Sequence, residues 1–261
     1  MTHVLITRPL ETSLQLAKQL DQLGFSSIVM PLYTFSSSQP GMDMQHAWAG
    51  PEKELKGRKL AVFTSPRAVQ FGLEHIPSNF LNKLEFAAVG AATAAQLEAA
   101  GHQVQVQAHG GFTSEDLLQV SELAIDPGAA VIFCAPGGRK KLARGLQDLG
   151  WTVSVAMVYQ RRPLPPAPDL IGELVGVERL LSVWTSISAL ELAREYLPTV
   201  AWSKILHSPA LAISTRIKHH LQQAGATDVE LADGPGNAGL LQSIQARLST
   251  SPNISPRRTT K

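Results

Sequence analysis

Apolar positions along this chain fall into two alternating patterns. Short, nearly unbroken runs at 4–6, 60–63, 131–134 and 180–184 are rich in Val, Ile, Leu and Phe. Runs of that length without polar alternation read as strands buried on both faces, as in parallel sheets covered by helices. Between them, leucines recur at helical spacing. Leu16, Leu20 and Leu23 fall at i, i+4 and i+7 and are closed by Gly24, a C′ stop. Strands alternating with helices predict an α/β architecture, with a mostly parallel sheet and helices on both faces.

The pattern occurs twice. Residues 4–35 and 131–162 share a strand, a helix and a second strand: Leu16, Leu20, Leu23 and Gly24 match Leu142, Leu146, Leu149 and Gly150 at a constant offset. Tyr33 matches Tyr159 at that offset. A second pair covers 60–106 and 180–231, with Thr64 and Ser65 matching Thr185 and Ser186, and Gly101 matching Gly225. The stretch at 112–119 then mirrors 236–243. The chain therefore reads A, B, A′, B′, and a repeat this long marks two domains rather than a solenoid.

Two divisions are compatible with that order: A with B and A′ with B′, or a crossed arrangement. The flanking sequence favours crossing. Residues 31–41 are rich in Ser, Pro and Gly and residues 158–168 in Pro, and both follow the second strand of an A-type unit. Two linkers leaving equivalent positions can pair as a short ribbon. The expected domains are 1–35 with 163–249, discontinuous, and 36–162, with linker ends near 31–41 and 156–168. Residues 250–261 are expected to be a disordered tail.

Composition narrows the function classes. The chain has 261 residues, 44% hydrophobic and 17% charged, so Ser, Thr, Gln and His must cover much of the surface. The formal charge is +2, but Arg257, Arg258 and Lys261 lie in the tail with no acid beside them, so no nucleic-acid-binding face is indicated. Cys134 is the one cysteine, in an apolar run, which excludes an intrachain disulfide and suits a reducing, cytoplasmic compartment. The chain opens on strand-like sequence, so no signal peptide is expected, and no apolar run is long enough to predict a membrane span.

Candidate chemistry gathers at the strand-to-helix turns. Thr64, Ser65, Thr185 and Ser186 end apolar strands and start helices. One hydroxyl of each pair suits an N-cap; the pair together, with free helix amides, also suits an anion site. In open α/β sheets such ends line the ligand crevice. Gly90 and Thr93 repeat the architecture, where small residues allow either tight helix packing or a close ligand. Ser214 and Thr215 match them, Ser114 sits in a capped helix start, and Gly138 belongs to a glycine-rich turn before a cation. The GPGNAG stretch at 234–239 has the form of a dinucleotide fingerprint, but no second strand or ribose-binding acid follows it; its amides could hold a carboxylate. The eight histidines show no zinc-ligand spacing, and no G-x-S-x-G elbow occurs. Tyr159 reads either as an edge aromatic with its hydroxyl in water or as a proton donor facing a cleft. Arg8 reads as a surface cation or as a carboxylate clamp.

The segments VLITRP (4–9), VFTSPRAV (62–69), FAAVGAATAAQL (86–97), FTSEDLL (112–118), MVYQRRP (157–163) and VWTSISAL (183–190) occur in the order found in uroporphyrinogen-III synthases. The chain resembles that family over residues 3–247. The resemblance implies two flavodoxin-like, three-layer α/β domains with parallel sheets, one discontinuous, joined by a two-stranded linker. It implies a cofactor-free, metal-free lyase that cyclises hydroxymethylbilane, with ring D inverted and water lost. Tyr159 matches the family's proposed acid. Arg8, Thr64, Ser65, Gly90, Thr93, Ser114, Gly138, Thr185, Ser186, Ser214 and Thr215 are the expected substrate-binding set. Where the family often has Gly and Thr, this chain has Ser214 and Ile217, which moves the expected contact from 217 to Ser214 and Thr215. A monomer is expected, with transient contact to the preceding pathway enzyme, and no nucleic-acid or membrane partner. The rival reading is a non-catalytic, two-lobed small-molecule-binding module, which would hold a tetrapyrrole without converting it.

Overall fold

The computed structural model describes residues 2–41, 47, 57–108, 113–137, 140–234 and 236–249. Gly138 and the expected tail lie outside them. The first A-type segment forms β1 (Thr2–Ile6), α1 (Leu10–Gln22) and β2 (Ser26–Val29), followed by β3 (Tyr33–Ser37). The B-type segment forms β4 (Lys59–Phe63), α2 (Pro66–Gly72), α3 (Ser78–Leu81), β5 (Glu85–Ala88), α4 (Ala91–Ala99), β6 (Val104–Gln107) and α5 (Ser114–Leu118). The second A-type segment gives β7 (Ala129–Cys134), α6 (Lys140–Asp148) and β8 (Thr152–Met157), then β9 (Tyr159–Pro163). The last segment gives α7 (Pro168–Gly176), β10 (Arg179–Trp184), α8 (Ile187–Tyr196), α9 (Thr199–Leu206), β11 (Ala210–Ala212), α10 (Thr215–Gln223), β12 (Val229–Leu231) and α11 (Asn237–Ser249).

The chain divides into two compact units, Met1–Thr34 with Arg161–Lys261, and Phe35–Gln160. Each holds a five-stranded parallel sheet. The first has the order β12-β11-β10-β1-β2 and the second β6-β5-β4-β7-β8. The two layouts are the same in space, with the A-type strands on one side and the B-type strands on the other. They differ in where the chain enters. Numbered along its own chain, the first unit reads 2-1-3-4-5, the flavodoxin order, while the second reads 3-2-1-4-5.

Period-two alternation along each strand feeds two cores per sheet. In the second unit Ala61, Phe63, Phe86, Val131 and Phe133 pack under Ala68 and Val69 of α2 and Ala94 and Leu97 of α4. The alternate residues Leu60, Val62, Ala87, Ala130 and Ile132 meet Leu117 of α5 and Leu142 and Leu146 of α6. In the first unit Val4, Ile6, Leu181, Val183 and Leu211 pack against Leu16 and Leu20 of α1 and Leu240, Ile244 and Leu248 of α11. Trp184 points the other way, fully buried, and its indole N–H donates to Ser182 Oγ at 2.9 Å, which satisfies a buried donor.

The repeated stops behave as the sequence predicts. Gly24 and Gly150 have φ of 80° and 95°, a left-handed conformation that ends α1 and α6. Leu23 departs from the predicted stripe: it is the C-cap of α1 and 39% exposed, because the helical period ends before it can turn inward. The two crossing segments pair as a ribbon of β3 and β9. It runs antiparallel, with Leu164 N–H donating to the Leu32 carbonyl at one end and Ser38 N–H to the Val158 carbonyl at the other, both at 2.9 Å.

One packing contact reverses an ordinary rule of helix stability. Phe63 and Phe133 stack with centroids 4.6 Å apart, and a Cβ built on Gly72 of α2 would lie 2.8 Å from Phe133 and 3.1 Å from Phe63. Ala is normally the better helix residue, yet here the overpacking dominates. Gly72→Ala is expected to lower unfolding free energy by about 1–3 kcal/mol, measured by urea denaturation.

Candidate functional site

In both units the strand-to-helix turns sit at the carboxyl ends of the parallel strands, the place where open α/β sheets take ligands. Helices start there with extended N-cap residues: Ser65, Gly90, Ser186 and Ser214 have φ between −146° and −166°. The same pair of turns is built on equivalent strands of each unit.

In the second unit the Thr64 amide and hydroxyl both donate to the Phe133 carbonyl, at 3.2 and 3.0 Å, tying β4 to β7. Ser65 Oγ accepts from the Ala68 amide at 3.1 Å, with Pro66 at the first helical turn. Its second contact is the Tyr159 hydroxyl, at 3.0 Å. Tyr159 is 8% exposed, packed edge-on to Phe35 at 5.7 Å and stacked on Phe71 at 5.9 Å. The phenol is gripped by two rings and hydrogen-bonded to a cap serine. Gly90 caps α4 with its backbone alone, and Thr93 in that first turn is buried. Ser114 is buried beside a complete capping box formed by Thr113 and Asp116, so its hydroxyl is not needed for capping and has no partner among the described residues. The Asp116 carboxyl is held below its usual range, first by the Thr113 hydroxyl and then by the Thr113 amide.

In the first unit Ser186 and Ser214 accept from the Ala189 and Ile217 amides, at 3.4 and 3.3 Å. Thr185 is half-buried and Thr215 exposed at their sides. Ile217 is 5% exposed and belongs to the core. Thr7 Oγ1 donates to the Val183 carbonyl at 3.0 Å, tying β1 to β10 as Thr64 ties β4 to β7. Arg8 follows, half-buried, and its Nη1 donates to Asn237 Oδ1 at 2.6 Å. Burial pulls the Arg8 pKa below its ordinary value, with only the Tyr33 phenol acting in the opposite sense.

Other participants in these clusters carry little or no signal in local sequence. Asn237 is separated from Arg8 by 229 residues. Arg161 lies 5.0 Å over the Tyr33 ring and donates to Ser188 Oγ at 2.9 Å. The one usable hint was the repeat, which puts Tyr33 where Tyr159 stands. Among the described residues no three His, Cys, Asp or Glu side chains are grouped to hold a metal ion, and no helix is long and apolar enough to cross a membrane.

The sequence model of the uroporphyrinogen-III synthase HemD family matches residues 15–242. The uroporphyrinogen-III synthase of Escherichia coli (strain K12) is 27% identical over 250 residues, covering 93% of this chain and 99% of that protein. That of Salmonella typhimurium is 28% identical over 253 residues, with the same coverage. A crystal structure of the Helicobacter pylori 26695 enzyme superposes with a TM-score of 0.61 at 17% identity, covering 95% of this chain and all of that one. At that identity the likeness supports the two-sheet fold.

The double duty of Ser65 can be measured. Ser65→Ala removes both the cap and the Tyr159 contact, and is expected to cost about 1 kcal/mol, or roughly 2–4 °C in Tm by calorimetry. Ser65→Asp keeps a capping oxygen and is expected to recover most of that loss.

Proposed function

This chain belongs to the uroporphyrinogen-III synthase family, and from that footing we propose that it cyclises hydroxymethylbilane to uroporphyrinogen III, inverting ring D and releasing water. The observation that carries the chemistry is the Tyr159–Ser65 contact at a strand end. Loss of the terminal hydroxyl needs a proton on the departing oxygen. Ser65 Oγ already accepts from the Ala68 amide, so its own proton is available to the Tyr159 oxygen. In that arrangement the phenol proton points outward to the leaving group. As the C–O bond breaks, water departs with that proton and the serine stabilises the phenolate left behind. The pyrrole nitrogen supplies the electrons, and a pyrrole carbon then closes the ring through a spiro intermediate, so no strong protein nucleophile is required.

The remaining task is geometric: a flexible, carboxylate-rich chain must be held so that inversion outruns simple closure. Helix-start amides at Ser65, Gly90, Ser114, Ser186, Ser214 and Thr215, hydroxyls of Thr64, Thr93 and Thr185, the residue Gly138 and the Arg8 cation are the groups assigned to that holding. The reading carries with it a cyclising hydro-lyase that works as a cytoplasmic monomer, without cofactor, and meets the enzyme supplying its bilane only in passing.

Freshly made hydroxymethylbilane closes to the type I isomer without catalysis, so isomer analysis of the oxidised products decides the reading. Predominant type III product is expected, unchanged by a chelator. Type I alone, formed at the blank rate, would favour the two-lobed binding module instead. Tyr159→Phe is expected to lower kcat by about 10²-fold, the lower range for a general acid, without abolishing turnover; an unchanged kcat would remove Tyr159 from the mechanism.

A further inference from the structure

The GPGNAG turn has a role that a dinucleotide reading misses. A Cβ on Gly239 would lie 2.9 Å from the Gly234 nitrogen, so the start of α11 packs closely against the Asp233–Gly234 backbone. Ser243 Oγ accepts from the Asp233 amide at 2.9 Å and shares its one proton between the Asp233 carboxylate and the Gly239 carbonyl, at 3.1 and 2.9 Å. That lock presents Asn237, the first residue of α11. The Asn237 amide is itself oriented, because its Nδ2 donates to Gln19 Oε1 on α1 at 3.1 Å, which leaves Oδ1 for Arg8.

The consequence for Arg8 is unusual. Its guanidinium is half-buried and held at one corner by a neutral amide. No carboxylate among the described residues pairs with it, and its Nε and Nη2 donors make no hydrogen bond among them. A partly desolvated cation with no counter-charge is costly, and the cost is recovered when an anion arrives. The Nε–Nη2 edge is the fork that binds a carboxylate through two parallel hydrogen bonds.

We infer that Arg8, oriented by the Gln19–Asn237 relay, is a built carboxylate-binding subsite of the first unit. It takes a carboxylate of the tetrapyrrole chain, and so rests on the function proposed above. Asn237 is a positioning residue: its amide holds the guanidinium without neutralising it. An aspartate in its place would have the same shape and would satisfy Arg8 internally, with Gln19 turning its own amide to donate.

The test is binding of uroporphyrin III, a stable octacarboxylate, followed by tryptophan fluorescence quenching with the full chain. Arg8→Gln and Asn237→Asp are each expected to raise Kd about tenfold. Asn237→Asp should keep or raise Tm, which a merely structural role for Asn237 would pair with unchanged binding. Arg179→Gln, at the opposite end of the strands, should bind like the unmodified chain. The subsite is overturned if the unmodified chain does not bind the porphyrin, if Arg8→Gln stays within twofold of it, or if all three variants weaken binding equally. Weakening in Arg8→Gln but not in Asn237→Asp overturns the positioning role. Exclusive type I product from the unmodified chain would instead overturn the synthase reading, while an Arg8-dependent Kd would still stand.

Discussion

Two long-range strand pairings, β1 with β10 and β4 with β7, determine everything at the strand ends. Each A-type segment brings two strands, too few to hide two apolar faces, and each B-type segment brings three. Only their union makes a five-stranded sheet with a core on both sides. Along β1 the register sets Val4 beside Leu181 and Ile6 beside Val183; along β4 it sets Val62 beside Ile132 and Phe63 beside Phe133. A slip of one residue would turn every one of those side chains to the opposite face. Thr7 and Thr64 lock the same pairings at their carboxyl ends through the Val183 and Phe133 carbonyls. The first pairing spans most of the chain, yet closure entropy grows only with the logarithm of loop length, so the crossed arrangement is thermodynamically affordable.

Much of this was legible because it is written in periodicity. Apolar runs at 60–63 and 131–134 specify strands whatever their partners, and Gly24 and Gly150 announce helix stops through a backbone conformation that few other residues adopt. The repeat disclosed which segments are equivalent, and hence that both sheets share one layout. Other features are set by tertiary distance and leave no local trace. Nothing near Arg8 in sequence says that its partner is Asn237, and nothing in GPGNAG says that the turn serves a side chain rather than a phosphate. Leu23 shows the converse error, a residue with the correct spacing that falls just beyond the last helical turn.

The candidate hydroxyls divide according to whether the fold already employs them. Ser65, Ser186 and Ser214 each accept from a helix amide, and Thr64 donates to a strand carbonyl. Their donor or acceptor capacity toward a ligand is correspondingly reduced, though a hydroxyl keeps one further bond to make. Ser114 differs from these, since Thr113 and Asp116 complete the cap without it. Capping and recognition therefore draw on the same groups. This is why the sequence could not separate them: a residue chosen for either task is a Ser or Thr at the end of an apolar strand.

That overlap favours a reaction needing little from the protein beyond position and one proton. An enzyme built around a strong nucleophile must hold a side chain out of structural service, poised and activated. Here the phenol of Tyr159 is held by Ser65, itself fixed by the helix start. The cap serine is thus both a structural element and the partner of the Tyr159 hydroxyl, fixed in place by the β4–α2 turn. Charge is handled in the opposite way. Arg8 is kept from internal neutralisation by a neutral amide, so the fold bears a small desolvation cost in the absence of ligand, and an arriving carboxylate offsets it. Rigid hydroxyls at the strand ends and an unneutralised cation are, on the reading proposed above, complementary means of holding a flexible polyanion.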